Sequence, residues 1–176
     1  LKVKGTSSHA AHENHDNPII NSIDVLNWIN NLNFKKKSNL LGSVKATVTQ
    51  INSGNQHNVV PSELELVLDM RVNECYTNKE IFDLLKINAP CEIKPRSLNL
   101  NSSIISIEHP IVIGGSKINI KKYGSPTLSD QSKINFPSIK IGPGDSTRSH
   151  TANEFIYLNE IKMAIPKYLD LLNTII

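Results

Sequence analysis

The chain has 176 residues, 39% hydrophobic and 20% charged, which is enough for one ordinary domain or two small lobes and argues against a disordered polypeptide. Lys+Arg 19 against Asp+Glu 16 leaves a net charge of +3, scattered apart from Lys35, Lys36 and Lys37 and the pair Lys121 and Lys122; with aromatics at 5%, the dense basic stripe and stacking platforms of a nucleic-acid surface are missing. No run reaches the roughly 18 apolar residues of a spanning helix, Leu1 to Gly5 lacks the pattern of a signal peptide, and Cys75 and Cys91 make no disulfide framework, so the expectation is a cytoplasmic protein with reduced thiols and neither a membrane nor a nucleic-acid partner.

Leu1 to Gly5 alternates apolar and polar residues, the two-residue period of a half-buried strand. Because it opens on Leu1 inside that strand, the chain reads as a piece of something longer. A polar loop, Thr6 to Asn17, leads to Asn17-Pro18, a helix start in which Asn accepts an orphan backbone N–H and proline takes the first helical position. Ile19, Ile20, Ile23, Leu26, Trp28, Ile29 and Leu32 keep three- and four-residue steps, so this helix has one apolar face and ends near Asn33.

Ser43 to Ile51 alternates Val44, Ala46 and Val48 with Lys45, Thr47 and Thr49, a second strand. Its expected partner places Leu64, Leu66, Leu68, Met70 and Val72 on one side and Glu63, Glu65, Asp69 and Arg71 on the other. The polar connection Asn52-Ser53-Gly54-Asn55-Gln56-His57-Asn58 is longer than a tight hairpin needs, the kind of loop that carries function on a rigid scaffold. Thr77-Asn78-Lys79-Glu80 has the spacing of a capping box before a second helix with Ile81, Leu84 and Leu85. Cys91 to Ser97 is short and extended, with Pro95 suited to an edge strand. The order strand, helix, strand, strand, helix, strand predicts an α+β unit on the split βαβ (ferredoxin-like) plan, a four-stranded antiparallel sheet with both helices on one face, closing at about residue 98.

From Leu98 the character changes. Gly114-Gly115 interrupts what begins as a helix after Pro110, Ser138 to Ile141 reads as a short apolar strand, and a last helix, Leu158 to Ile175, presents Ile161, Ile165, Tyr168, Leu172 and Ile175 on one face with a kink at Pro166. This part is too small to close a core of its own.

Six histidines are candidates for chemistry: His9, His12, His15, His57, His109 and His150. The three-residue steps of His9, His12 and His15 invite a metal cluster, but in a loop such spacing fixes no geometry, and solvated histidines are the plainer reading. His150 follows Gly142-Pro143-Gly144-Asp145 and precedes the last helix, where side chains converge in α/β enzymes. Two roles stay open for it: a zinc ligand whose ring is fixed by a nearby carboxylate, or a capping or hydrogen-bonded histidine.

Five motifs stand in a telling order: Gly5-Thr6-Ser7-Ser8-His9-Ala10-Ala11 after a strand; Asn17-Pro18-Ile19; Gly54-Asn55-Gln56-His57-Asn58-Val59-Val60-Pro61; Leu68-Asp69-Met70-Arg71; and Gly142-Pro143-Gly144 with Ser149-His150-Thr151-Ala152-Asn153-Glu154. Together they resemble the metallohydrolase family of acetylornithine deacetylase, succinyl-diaminopimelate desuccinylase, aminoacylase and related carboxypeptidases. Leu40-Leu41-Gly42, Thr49-Gln50-Ile51-Asn52 and Ser125-Pro126-Thr127-Leu128-Ser129-Asp130 are most similar to the acetylornithine deacetylase branch, including members acting on acylated citrulline. The resemblance implies a lid or dimerisation domain over residues 1–98 and the C-terminal portion of a metal-dependent α/β catalytic domain over residues 99–176. It implies that His150 is the last ligand of a two-zinc site, with cobalt or manganese as alternative metals. It also implies that His9 reaches the active site, in several relatives that of the partner subunit, to polarise the scissile carbonyl or stabilise its oxyanion. Asn58 and Arg71 match residues that hold the substrate's carboxylate, and Gly144 lies where backbone N–H groups approach the substrate.

Arg71 suits that task because its planar fork contacts a carboxylate in bidentate fashion, although its neighbours Glu63, Glu65 and Asp69 equally allow a surface ion pair. The family's HxD metal motif, bridging aspartate and paired glutamates do not occur in this sequence, so the expectation is that these residues alone are inactive. The function implied is zinc-dependent removal of an acyl group from an N-acyl amino acid, such as N-acetylornithine or N-acetylcitrulline in arginine biosynthesis, by a homodimer paired through the lid. The alternatives are a dipeptidase or carboxypeptidase of the same family, and a non-enzymatic dimerisation or sensing module.

Overall fold

The computed structural model describes residues 1–176. Two units divide them, Leu1–Ser102 with Ser125–Leu128, and Ser103–Gly124 with Ser129–Ile176. The first carries β1 (Lys2–Lys4), β2 (Ser8–His9), α1 (Pro18–Asn30), β3 (Lys45–Ser53), β4 (Val59–Val60), β5 (Glu63–Arg71) and α2 (Asn78–Asn88). The second carries α3 (Pro110–Lys117), single turns of 3-10 helix at Asp130–Lys133 and Ser146–Arg148, and α4 (Leu158–Asn173).

In the first unit β5 is the central strand, antiparallel to β1 and to β3, with Leu64 opposite Val3 and Leu68 opposite Val48. Alternation along β5 puts Leu64, Leu66, Leu68 and Met70 on the face that both helices cover. From α1, Val25 and Ile29 join Val3, Leu64 and Leu66 in one cluster. From α2, Ile81 and Leu85 join Phe34, Val44 and Tyr76 in a second, and Trp28 and Leu32 pack against both. A bulge between Val48 and Gln50 adds one residue to β3, so Ile51 comes opposite Leu66 and not opposite Glu65. The helices start as expected. Asn17 Oδ1 accepts from the Ile19 N–H at 2.9 Å, and Thr77 and Glu80 form a capping box, Thr77 Oγ1 accepting from the Glu80 N–H at 3.1 Å and Glu80 Oε2 from the Thr77 N–H at 2.6 Å.

The outer face of the sheet is charged: Lys2 pairs with Glu63 at 3.0 Å and Glu65 at 3.3 Å. Both carboxylates raise the Lys2 ammonium above its usual range, though in solvent such pairs contribute little stability.

The sheet has three strands where four were expected. Cys91 to Ser97 reaches it only at Glu92, which exchanges both backbone hydrogen bonds with Lys2, at 2.8 and 3.1 Å. Pro90 and Pro95 flank this point without an N–H to give, and β1 is only three residues long.

The second unit departs further from the sequence reading. The glycine pair does not interrupt α3. A Cβ on Gly114 would lie 1.9 Å from Thr174 Oγ1, so glycine is what lets the end of α4 approach α3. His109 caps α3, its Nδ1 accepting from the Ile111 N–H at 3.3 Å. No strand forms at Ser138 to Ile141; the Ser138 carbonyl and hydroxyl accept instead from Gln131 Nε2, at 3.1 and 3.2 Å. Ala164 and Leu171 are the buried residues of α4, while Ile161, Ile165, Leu172 and Ile175 of the expected inner face are exposed and Tyr168 is half-buried. The glycine pair of α3 meets Thr174 and Leu171 at the end of α4, and most of the bulky stripe stays outside that contact. The helix runs on across Pro166.

Candidate functional site

The loop Thr6 to Asn17, read from sequence as simply polar, is held by a network. Asn14 Nδ2 donates to the Thr6 carbonyl at 2.8 Å and to Ser8 Oγ at 2.7 Å, and Asn14 Oδ1 accepts from the Asp16 N–H at 2.8 Å. The Asp16 carboxylate accepts from Thr6 Oγ1 at 2.9 Å and from Asn21 Nδ2 at 3.0 Å. Five side chains, those of Thr6, Ser8, Asn14, Asp16 and Asn21, thus close the loop onto itself and onto α1. The β2–β4 pair then fixes where it points: His9 stands opposite Val59, and the Ala10 N–H donates to the Asn58 carbonyl at 2.9 Å. His9 and Asn58, 49 residues apart by number, therefore lie side by side.

His9 is exposed, and its Nδ1 accepts from the Ala11 N–H at 3.1 Å. The His12 ring stands 5.8 Å away, edge on, and His15 turns to Glu13 at 3.3 Å. The three histidines do not converge, and no group of three His, Cys, Asp or Glu side chains anywhere in the chain is arranged to hold a metal ion.

Arg71 is not brought to this place. It ends β5, and the strand's eight residue steps separate it from Glu63 by about 27 Å at the rise of an extended chain, with Asn58 and β4 before Glu63 in the chain. Its fork is occupied by Asp69, Nε to Oδ1 at 2.7 Å and Nη2 to Oδ2 at 3.1 Å. A shallow groove of about 370 Å³ beside β4 is lined by Ser7, Gly54, Asn55, Val59, Pro61, Ser62 and Glu63.

In the second unit, Gly144 has φ +85°, and Ile156 lies 3.2 Å from where a Cβ would stand. Asp145 accepts at Oδ1 from the Thr147 N–H and hydroxyl, at 2.9 and 2.8 Å, bonds that hold its carboxyl below the usual range. Arg148 bonds Glu160 at 2.5 Å and lies over the rings of Phe155 and Tyr157, 4.9 and 5.3 Å from their centroids. Glu160 also accepts from the Tyr157 N–H at 3.0 Å; the Arg148 bond first and this one second keep its carboxyl low. The Nη1 of Arg148 is buried without a partner. His150 is exposed, in the left-handed region with φ 60°. A carboxylate does stand near it, but Glu154 Oε2 accepts from the backbone N–H of His150, at 2.9 Å, and not from its ring.

Sequence reasoning missed Ala11, Asn14, Asp16 and Arg148. Ala11 acts through its backbone N–H, and Asn14 and Asp16 through side-chain bonds within a loop that shows no pattern of its own; the partners of Arg148, Phe155 to Glu160, offered only nearness in sequence as a signal.

Residues 1–88 match the family model of the peptidase dimerisation domain. The chain is 32% identical over 131 residues to the LysW-lysine/LysW-ornithine hydrolase of Sulfurisphaera tokodaii, an alignment covering 69% of this chain and 38% of that protein. Proteins of the same name from Saccharolobus solfataricus and Saccharolobus islandicus are each 26% identical, over 130 and 133 residues, with the same coverage. The chain thus spans under two fifths of the length of the curated relatives it matches.

Proposed function

The chain belongs to the family of the peptidase dimerisation domain, and from that premise we propose that it serves an amide hydrolase that frees an amino acid from an N-acyl group, with N-acetylornithine or N-acetylcitrulline as substrate. The observation that carries this reading is the β2–β4 pair, which seats His9, with an imidazole nitrogen to spare, against Asn58 on a braced loop. His9 polarises the acyl carbonyl and Asn58 holds the substrate's carboxylate. Arg71 contributes its fork to the same carboxylate by exchanging Asp69 for it. Since the length of β5 separates Arg71 from Asn58 within one protomer, a homodimer paired through residues 1–98 would bring the two to one substrate from different subunits.

Residues 99–176 form the C-terminal portion of the catalytic domain in this proposal, with Gly144 at the substrate and His150 a zinc ligand. The residues present do not fit a complete metal site: a single imidazole is available, and zinc needs at least three protein donors. The other donors would come from outside these residues, and we derive no step through the metal. The 176 residues alone are inactive in this reading, and the protein acts in the cytoplasm.

A second reading is favoured by the relatives' names: the scissile amide joins lysine or ornithine to LysW. Ornithine is common to both. The test is an assay of the full-length protein carrying this sequence, supplied with zinc, on N-acetylornithine, N-acetylcitrulline, their succinyl analogues, LysW-ornithine and dipeptides. Release of ornithine or citrulline from the acetylated substrates is expected. Turnover of LysW-ornithine alone selects the second reading, dipeptide cleavage alone moves the assignment to a peptidase, and no turnover leaves a dimerisation or sensing module.

A further inference from the structure

We infer that the backbone N–H of Ala11 is a positioning group: it fixes His9 as the tautomer with its proton on Nε2, so that His9 presents a hydrogen-bond donor to an oxygen of the substrate and is not a metal ligand. The inference deepens the proposed function and rests on its placing His9 at the substrate.

The argument is one of donors and lone pairs. A backbone N–H can only donate, and it points at His9 Nδ1 from 3.1 Å, so Nδ1 must offer its lone pair. A neutral imidazole carries one proton, which is then on Nε2. The backbone on either side of Ala11 is not free to rearrange. Ala10 is tied to the Asn58 carbonyl at 2.9 Å, and the His12 N–H closes the turn onto the His9 carbonyl at 3.0 Å. Asn14 holds Ser8 from the other side at 2.7 Å. His109 shows the same bond two residues ahead, to the Ile111 N–H at 3.3 Å, where it caps α3. At His9 no helix follows, so the device orders a ring in a turn.

Metal ligation through Nε2 needs the opposite tautomer. Its proton on Nδ1 would face the Ala11 N–H, two donors nose to nose, and the bond would be lost. The steps His9, His12, His15 are therefore not a metal motif, in keeping with rings that do not converge. A neutral N–H donor suits a carbonyl oxygen that gains negative charge during the reaction, because a bond to a charged acceptor is stronger than one to a neutral acceptor.

The test is NMR of the protein labelled with ¹⁵N at histidine and at backbone amides, at a pH where the rings are neutral. We expect long-range correlations of the Nε2–H pattern at His9, and a coupling across the hydrogen bond between the Ala11 amide nitrogen and His9 Nδ1. Ala11→Gly, which keeps the N–H, should leave both unchanged. Ala11→Pro, which removes it, should give a mixture of tautomers. An Nδ1–H pattern in the unaltered protein, no coupling across the bond, or zinc displacing the His9 Nε2 resonance would overturn the inference; the first two need no variant to fold. In the full-length protein, His9→Asn keeps an acceptor for the Ala11 N–H but moves the donor. A loss of about 10²–10³-fold in kcat with KM little changed is expected, and unchanged kcat would overturn the donor role. If neither protein turns over any substrate, the hydrolase reading fails while the NMR result still decides the tautomer.

Discussion

The first unit buries Val3, Val25, Ile29, Leu64 and Leu66 in one cluster and Phe34, Val44, Tyr76, Ile81 and Leu85 in another, beneath a sheet whose outer face is charged. The second buries only Val112, Ala164 and Leu171 among its hydrophobic residues and leaves Ile161, Ile165, Leu169 and Leu172 of α4 exposed. The difference lies in the elements. A sheet with two helices on one face buries Leu64 and Leu66 of its central strand and half-buries Leu68 and Met70, whereas two helices meeting at a glycine pair gain closeness but cover little area. The first unit has the makings of a self-sufficient core, and the second relies on one tight helix crossing.

That contrast can be broken or sharpened by mutation. Leu64→Ala, at a site 2% exposed, should cost about 2–5 kcal/mol in urea unfolding, and Leu171→Ala distinctly less. Equal losses would erase the distinction between the units. Gly114→Ala forces a methyl onto Thr174 and should cost about 1–3 kcal/mol as an overpacked contact, with faster amide exchange confined to α3 and α4. Adding Thr174→Gly should restore protection. Thr77→Ala removes the cap of α2 and should cost about 1 kcal/mol, visible as fraying of the first turn with the sheet intact.

The smallest effect is on pH. Glu160 in the second unit and Glu80 in the first both titrate below the ordinary carboxylate range, Glu160 through the Arg148 bond and then the Tyr157 N–H, Glu80 through the Thr77 N–H and then its hydroxyl. A depressed folded value means the stabilisation is fully present above the unfolded pKa of about 4.3 and is lost as pH falls through the folded value. Exchange of the first-turn amides of α2 and α4, followed from about pH 5 down to pH 2, should rise only below that unfolded value. A rise at higher pH in either helix would contradict the corresponding bonds.

Where local chemistry decided the outcome, the sequence sufficed. Asn17-Pro18, the Thr77 to Glu80 box and the alternation of β5 are each written within a few residues and stand as expected. Where the deciding partner was distant, it did not. Gly114-Gly115 reads as a break until Thr174 is seen beside it, and Ser138 to Ile141 reads as a strand until Gln131 is seen holding Ser138. The bulky stripe of α4 gave the stronger periodic signal, yet Ala164 and Leu171 are the residues it buries. The site followed the same rule. His9, Asn58, Arg71, Gly144 and His150 were picked out by motif, but that His9 and Asn58 adjoin, that Asp69 fills the fork of Arg71, and that Glu154 holds the backbone and not the ring of His150 depended on pairings no motif contains.

The bulge in β3 bears on how the sheet avoids pairing with a foreign edge. β3 is an edge strand of nine residues, and an edge of that length with unpaired amides is a template for unwanted strand-by-strand aggregation. The extra residue after Val48 breaks that template into two short runs whose twist differs, and Lys45 adds charge at one end. Deleting Thr49 would keep Ile51 opposite Leu66 but join the two runs into one regular, unbroken edge, trading a well-behaved surface for a sticky one.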